Sequence, residues 1–227
     1  MKEIDIKDSP FSILLENSTT TFAEGTDWYD AKIVYPKKNQ KVTDQIFKMW
    51  QDFATETQIK NYTNLKDAKE GLAINVDGLR YSFYADYEIA TSTNTISYVY
   101  EIYNFTGGAH GGTSIVAITE NEKQEIIPIE QILPTEKLVK VAALAKTDLI
   151  KQKADRMRSY GNMSEKDIAA VQKNDTFLDE GVKPTRENYS VAWYDGDDVV
   201  ISFGQYQVAS YAEGMFEVRI PTGTLMQ

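Results

Sequence analysis

The side chains able to do chemistry in this chain are few. Among 227 residues there is one His and no Cys, which excludes thiolate nucleophiles, disulfides, iron–sulfur clusters and zinc sites built on cysteine. The histidine stands in Gly107-Gly108-Ala109-His110-Gly111-Gly112. An imidazole on so pliable a loop can serve as a general base or a metal ligand. The same glycines also permit positive φ or close backbone approach at the mouth of a strand, with His110 satisfied by a local hydrogen bond. The pattern is neither GxGxxG nor a Walker loop, and no Lys-Ser/Thr follows it, so phosphate cradling is not expected. Asp195, Asp197 and Asp198 lack the ligand spacing of a calcium loop and read instead as a hairpin turn, Asp195-Gly196-Asp197-Asp198. No GxSxG or HExxH is present. A glycosidase-like carboxylate pair cannot be singled out by spacing among 34 acids, because such pairs meet only in three dimensions. No metal and no cofactor is expected.

A second cluster is aromatic. Phe203-Gly204-Gln205-Tyr206-Gln207-Val208-Ala209-Ser210-Tyr211-Ala212-Glu213-Gly214 places two tyrosines five apart between glycines, just after an apolar strand. Such a loop either packs both rings over a sheet edge or presents them as a recognition surface, since Tyr combines large contact area with low ordering entropy.

The elements around these clusters follow from periodicity. Residues 1–10 read as a disordered leader ending at Pro10, and strands are expected at Phe11–Leu15 and Trp28–Tyr35, the latter closed by Pro36. In Lys41–Tyr62, the residues Val42, Ile46, Met49, Trp50, Phe53 and Ile59 mark one face of an amphipathic helix. From Leu72 to Thr119 the period becomes two, with Ile96, Tyr98, Tyr100 and Ile102 on one face, which predicts a meander of long antiparallel strands. Ile126–Leu133 reads as a short strand or loop. A helix opened near Thr135 runs to about Tyr160 with Leu138, Val141, Ala142, Ala145, Leu149 and Ile150 inward, and Gly161 stops it. Ser164-Glu165-Lys166-Asp167 carries the spacing of a capping box for a further short helix. Strands return at Tyr189–Asp195, Val199–Phe203 and Phe216–Ile220. The fold class is therefore α+β, an antiparallel meander with packed helices.

Composition bounds the partners. With 24 Lys plus Arg against 34 Asp plus Glu, the net charge is −10, which argues against nucleic acid and anionic membrane surfaces and favours a cationic partner. The longest apolar run, Val141-Ala142-Ala143-Leu144-Ala145, is far below the ~20 residues that span a bilayer, so no transmembrane segment is expected.

Several segments in sequence order resemble one family: Phe105-Thr106-Gly107-Gly108-Ala109-His110, Ile127-Pro128-Ile129-Glu130-Gln131-Ile132-Leu133, Tyr206 to Gly214, and Val218-Arg219-Ile220-Pro221. They are similar to the domain of unknown function at the C-terminus of the lysozyme-sensing sigma-V anti-sigma factors (the RsiV group), a domain also found beside peptidoglycan deacetylases. Trp28 to Pro36 and the helix after it resemble the companion domain that usually precedes it. The resemblance implies two intimately associated portions, 11–106 and 107–227. It further implies a non-catalytic extracytoplasmic module of the bacterial cell envelope, in the periplasm or on the outer surface, with a signal or lipoprotein anchor removed. The implied partner is lysozyme or another basic protein, met through Gly107, Gly108, His110, Tyr206, Tyr211 and Gly214. Two alternatives stand beside it: an accessory domain binding peptidoglycan or another polysaccharide, and a hydrolase using carboxylates and His110.

Overall fold

A computed structural model describes residues 19–72, 80–159, 161 and 163–226. The leader and the strand expected at Phe11–Leu15 lie outside the described residues. The chain divides into two compact units, one made of residues up to Ile89 together with Tyr98–Ile118, the other of Ala90–Ser97 together with Thr119 onward.

The first unit holds most of a sheet in the order β1-β2-β3-β4-β5: β1 Thr19–Gly25, β2 Tyr29–Pro36, β3 Tyr81–Thr91, β4 Thr95–Phe105 and β5 Gly112–Asn121. β1 pairs antiparallel with β2. The three residues between β3 and β4, and the six between β4 and β5, are too few for a crossover and make these pairs antiparallel too. The antiparallel meander expected between Leu72 and Thr119 is formed by β3, β4 and β5, and one pair outside it is parallel. β2 pairs parallel with β3, Asp30 opposite Ser82 and Lys32 opposite Tyr84, because a helical crossover intervenes. That crossover holds α1, Gln40–Glu56, and α2, Leu65–Leu72. The helix expected over Lys41–Tyr62 thus ends earlier, at Glu56, and Leu72 closes a helix rather than opening a strand.

α1 starts where its sequence can cap it. Asn39 Oδ1 accepts from the Val42 amide at 3.2 Å, and Asn39 Nδ2 donates to the Tyr98 hydroxyl, also at 3.2 Å. Val42, Ile46, Trp50 and Ala54 form its buried face. Trp50 lies 5.5 Å from Phe83 and 6.3 Å from Tyr29, ring centre to ring centre. Strand alternation does the rest: Tyr29, Ala31, Ile33, Tyr81, Phe83, Ala85 and the predicted face Ile96, Tyr98, Tyr100 and Ile102 are all buried. The opposite face of the same strands carries Asp30, Ser82, Tyr84 and Tyr103.

The second unit packs a three-stranded antiparallel sheet, β6 Ala192–Asp195, β7 Asp198–Phe203 and β8 Phe216–Pro221, against helices. These are α3 Ile129–Ile132, α4 Leu138–Ser159, α5 Glu165–Lys173, α6 Thr176–Gly181 and α7 Thr222–Met226. α4 buries Leu138, Val141, Ala142, Ala145 and Leu149, as its spacing predicts, in one cluster with Ile201, Phe203, Val218 and Ile220. The Ser164–Asp167 capping box forms. Gly196 takes φ 60° in the two-residue turn between β6 and β7, the positive value that mirror-image hairpin turns require. Ile129–Ile132 is a helical turn rather than a strand, and the strand expected from Tyr189 begins only at Ala192, after a 3₁₀ turn.

Removing the Asn39 cap while leaving the Tyr98 hydroxyl buried without it makes Asn39→Ala cost about 1–2 kcal/mol. Urea denaturation checks this against Lys41→Ala on the exposed side of the same turn, which should shift the midpoint negligibly.

Candidate functional site

The loop between β7 and β8 is held from beneath by charge. Lys153 continues the buried stripe of α4 one turn past Leu149 and is only 2% exposed. Its Nζ donates to the Val208 carbonyl at 2.8 Å and pairs with Asp175 Oδ2 at 2.5 Å. Asp175 does two things at once, since its Oδ1 accepts from the Leu178 amide and caps α6. One turn along α4, Arg156 lays its guanidinium 3.6 Å over the Phe216 ring and donates to the carbonyls of Glu213 and Met215. Gln207 accepts from the Gly204 amide at 3.0 Å and donates to the Asn188 carbonyl at 2.8 Å. Gly181 meets the loop so closely that a Cβ there would fall 2.1 Å from the Gln207 carbonyl oxygen. Val208 and Ala209 are fully buried.

These anchors leave two rings at the surface. Tyr206 is 53% exposed and sits at φ 65°, a left-handed conformation that costs a non-glycine residue energy. Tyr211, half-buried, opens a 3₁₀ turn that Ser210 and Glu213 cap reciprocally. The two ring centres are 5.6 Å apart and tilted by 34°. Gly214 ends the turn at φ 76°. The loop therefore leaves the Tyr206 ring exposed and the Tyr211 ring half-buried beside it.

The glycine–histidine loop lies in the first unit and lines a cleft there. Asp30, Arg80, Ser82, Tyr103, Phe105 and residues Gly108 to Gly111 line an open cleft with a volume of about 510 Å³. The Tyr84 hydroxyl donates to Asp30 Oδ2 at 2.7 Å, and the Tyr84 and Tyr103 rings stack with centres 6.0 Å apart and planes 13° from parallel. Donation to Asp30 and partial burial hold the Tyr84 phenol above its ordinary range, while the positive charge of Arg80 pulls the other way. Gly107 and Gly108 adopt φ 87° and 101°, the positive values the glycine pattern allows. Gly111 is buried against Tyr103, where a Cβ would fall 2.4 Å from the ring. His110 is exposed, with Nδ1 3.0 Å from the Gly111 carbonyl oxygen.

Of the residues marked in the sequence, Tyr206, Tyr211 and Gly214 thus share one loop, and Gly107, Gly108 and His110 share another. Among the described residues no group of three His, Asp or Glu is placed to hold a metal ion, and no helix is long and apolar enough to cross a membrane. Sequence reasoning missed Asp30, Tyr84 and Tyr103, which only strand pairing brings together. It also missed Lys153, Arg156 and Asp175. Lys153 had left a signal, being a cation four residues beyond Leu149 on a stripe otherwise apolar.

Residues 22–113 match the family model described as deacetylase PdaC, and residues 143–223 match that of a family of unknown function, DUF3298. Along the chain a match to the PdaC model is thus followed by a match to the DUF3298 model. This is the pairing of an unassigned domain with a deacetylase-associated one that the sequence resemblance implied. The His110 loop falls inside the PdaC match and the tyrosine loop inside the DUF3298 match. The peptidoglycan-N-acetylmuramic acid deacetylase PdaC of Bacillus subtilis (strain 168) is 33% identical over 131 residues, covering 55% of this chain and 24% of that protein. The chain accordingly spans about a quarter of the length of this curated relative. Two solved DUF3298 proteins share the fold at 14% identity. The one from Bacteroides fragilis has a TM-score of 0.56 over 93% of this chain and 92% of its own. That from Pseudomonas aeruginosa PAO1 has 0.54 over 93% and 91%.

Two stability measurements test the loop's construction. Lys153→Ala strands the buried Asp175 carboxylate and should cost ~3–5 kcal/mol. Tyr206→Gly should stabilise by ~1 kcal/mol by relieving the left-handed backbone, whereas Tyr206→Ala should not. Chemical denaturation of the three variants beside the parent decides both.

Proposed function

We propose that the protein is a non-catalytic, extracytoplasmic module of the bacterial cell envelope that docks a cationic protein on the Tyr206–Tyr211 loop, lysozyme being the partner suggested by the resemblance to the sigma-V anti-sigma factors. The observation that carries this is the tyrosine pair, Tyr206 exposed and Tyr211 half-buried beside it, on a loop fixed by buried charge. A preorganised aromatic pair contributes contact area without the ordering cost that flexible loops incur on binding. The charge of −10 adds long-range attraction for a basic partner, which acts mainly on the association rate. Titration calorimetry with hen egg-white lysozyme is the test. Binding is expected to weaken at least tenfold in the double variant Tyr206→Ala, Tyr211→Ala, and the association rate to fall as salt rises from 50 to 500 mM. Absence of a heat signal together with unchanged lysozyme activity contradicts the reading.

A second reading is supported by the match to a peptidoglycan deacetylase: an accessory domain that binds cell-wall glycan. Co-sedimentation with purified sacculi is the outcome it predicts, and protein left wholly in the supernatant rejects it.

A further inference from the structure

The cleft of the PdaC-type domain has a built interior that the tyrosine loop does not explain. Its floor is the sheet face turned away from α1. There Asp30 and Ser82 are ladder partners on parallel strands, so their side chains emerge next to one another. The Tyr84 hydroxyl fixes the Asp30 carboxylate, and the stack of Tyr84 on Tyr103 holds the second ring in place. Laid against Tyr103, the Gly111 backbone brings His110 to the rim. Arg80 lines the same space and is exposed.

We propose that this cleft, formed by Asp30, Arg80, Ser82, Tyr103 and His110, binds a saccharide bearing a carboxylate; the proposal rests on the glycan reading above and assigns it a place and a ligand class. A pyranose has an apolar face of C–H groups and a rim of hydroxyls. A fixed tyrosine ring suits the face, while an anchored carboxylate and a serine hydroxyl accept from or donate to the rim. A neutral sugar needs nothing more. Arg80 adds a planar cationic fork suited to bidentate recognition of a carboxylate. Asp30 repels an anion from its own side, so the ligand is oriented with hydroxyls toward Asp30 and its acid toward Arg80. The volume of about 510 Å³ lies within the range of small-molecule sites. Two kinds of glycan carry the required group: amino sugars with a lactyl ether whose acid bears no peptide, and polymers of hexuronic acid.

The experiment is an NMR titration of the full chain with three disaccharides: N-acetylglucosaminyl-N-acetylmuramic acid, digalacturonic acid and neutral chitobiose. At least one acidic sugar is expected to bind ten times more tightly than chitobiose, and which one does so identifies the source. Arg80→Gln should abolish that preference with an unchanged melting temperature, and Tyr103→Ala should weaken every sugar that binds. Equal binding of acidic and neutral sugars, a preference that survives Arg80→Gln, or no binding of any of the three overturns the proposal. Sedimentation of parent and Arg80→Gln with sacculi separates the two levels. If both sediment equally, this site assignment fails and the glycan reading stands; if neither sediments and no sugar binds, both fail.

Discussion

An ammonium group buried at Lys153 can be tolerated only if opposite charge and hydrogen-bond acceptors surround it. Those acceptors, Asp175 and the Val208 carbonyl, come from distant parts of the chain. The requirement ties α4, the start of α6 and the β7–β8 loop to one point. Around that point the rest of the loop is determined. Arg156 takes the carbonyls at its C-terminal end, Gln207 ties its start to Asn188, and Gly181 allows the backbone to settle against α6. With the base of the loop immobilised, Tyr206 can be kept in a backbone conformation it would avoid in a flexible segment. Strain of this kind persists only where the surroundings over-determine it, and it concentrates at sites of recognition.

In the first unit the organising constraint is alternation. Strands whose one face is pressed on α1 must direct every second residue the other way. The apolar set beneath α1 thereby dictates that Asp30, Ser82, Tyr84 and Tyr103 appear together on the opposite face, although Asp30 and Tyr103 lie far in sequence from the Ser82–Tyr84 pair. The parallel β2–β3 pair places Asp30 opposite Ser82, and Tyr84 two residues further along β3 reaches back to Asp30.

Much of this architecture was legible before any coordinates. The stripes of α1 and α4, the buried row from Ile96 to Ile102, the Ser164 capping box and the Asp195–Asp198 turn each rest on spacing within a single segment, and spacing is what a sequence displays. β1 escaped because Thr19, Thr20 and Thr21 show strand preference without an apolar alternation to mark it. The parallel crossover escaped because pairing direction depends on where α1 packs and not on the strands' own residues. For the sites the division is the same. The tyrosines and the glycine–histidine loop are local motifs and could be marked, whereas Lys153 with Asp175 and Asp30 with Tyr84 are meetings of distant residues. A lysine on an apolar stripe looks like a breach of the pattern until its counter-charge is known.

The proposed docking of a basic protein on the tyrosine loop is tested most directly by hydrogen–deuterium exchange of the intact chain with and without excess hen egg-white lysozyme. The account predicts slower exchange of amides in residues 204–214 on adding lysozyme, with residues 107–112 unaffected. Unchanged exchange in 204–214, or protection confined to 107–112, would contradict it.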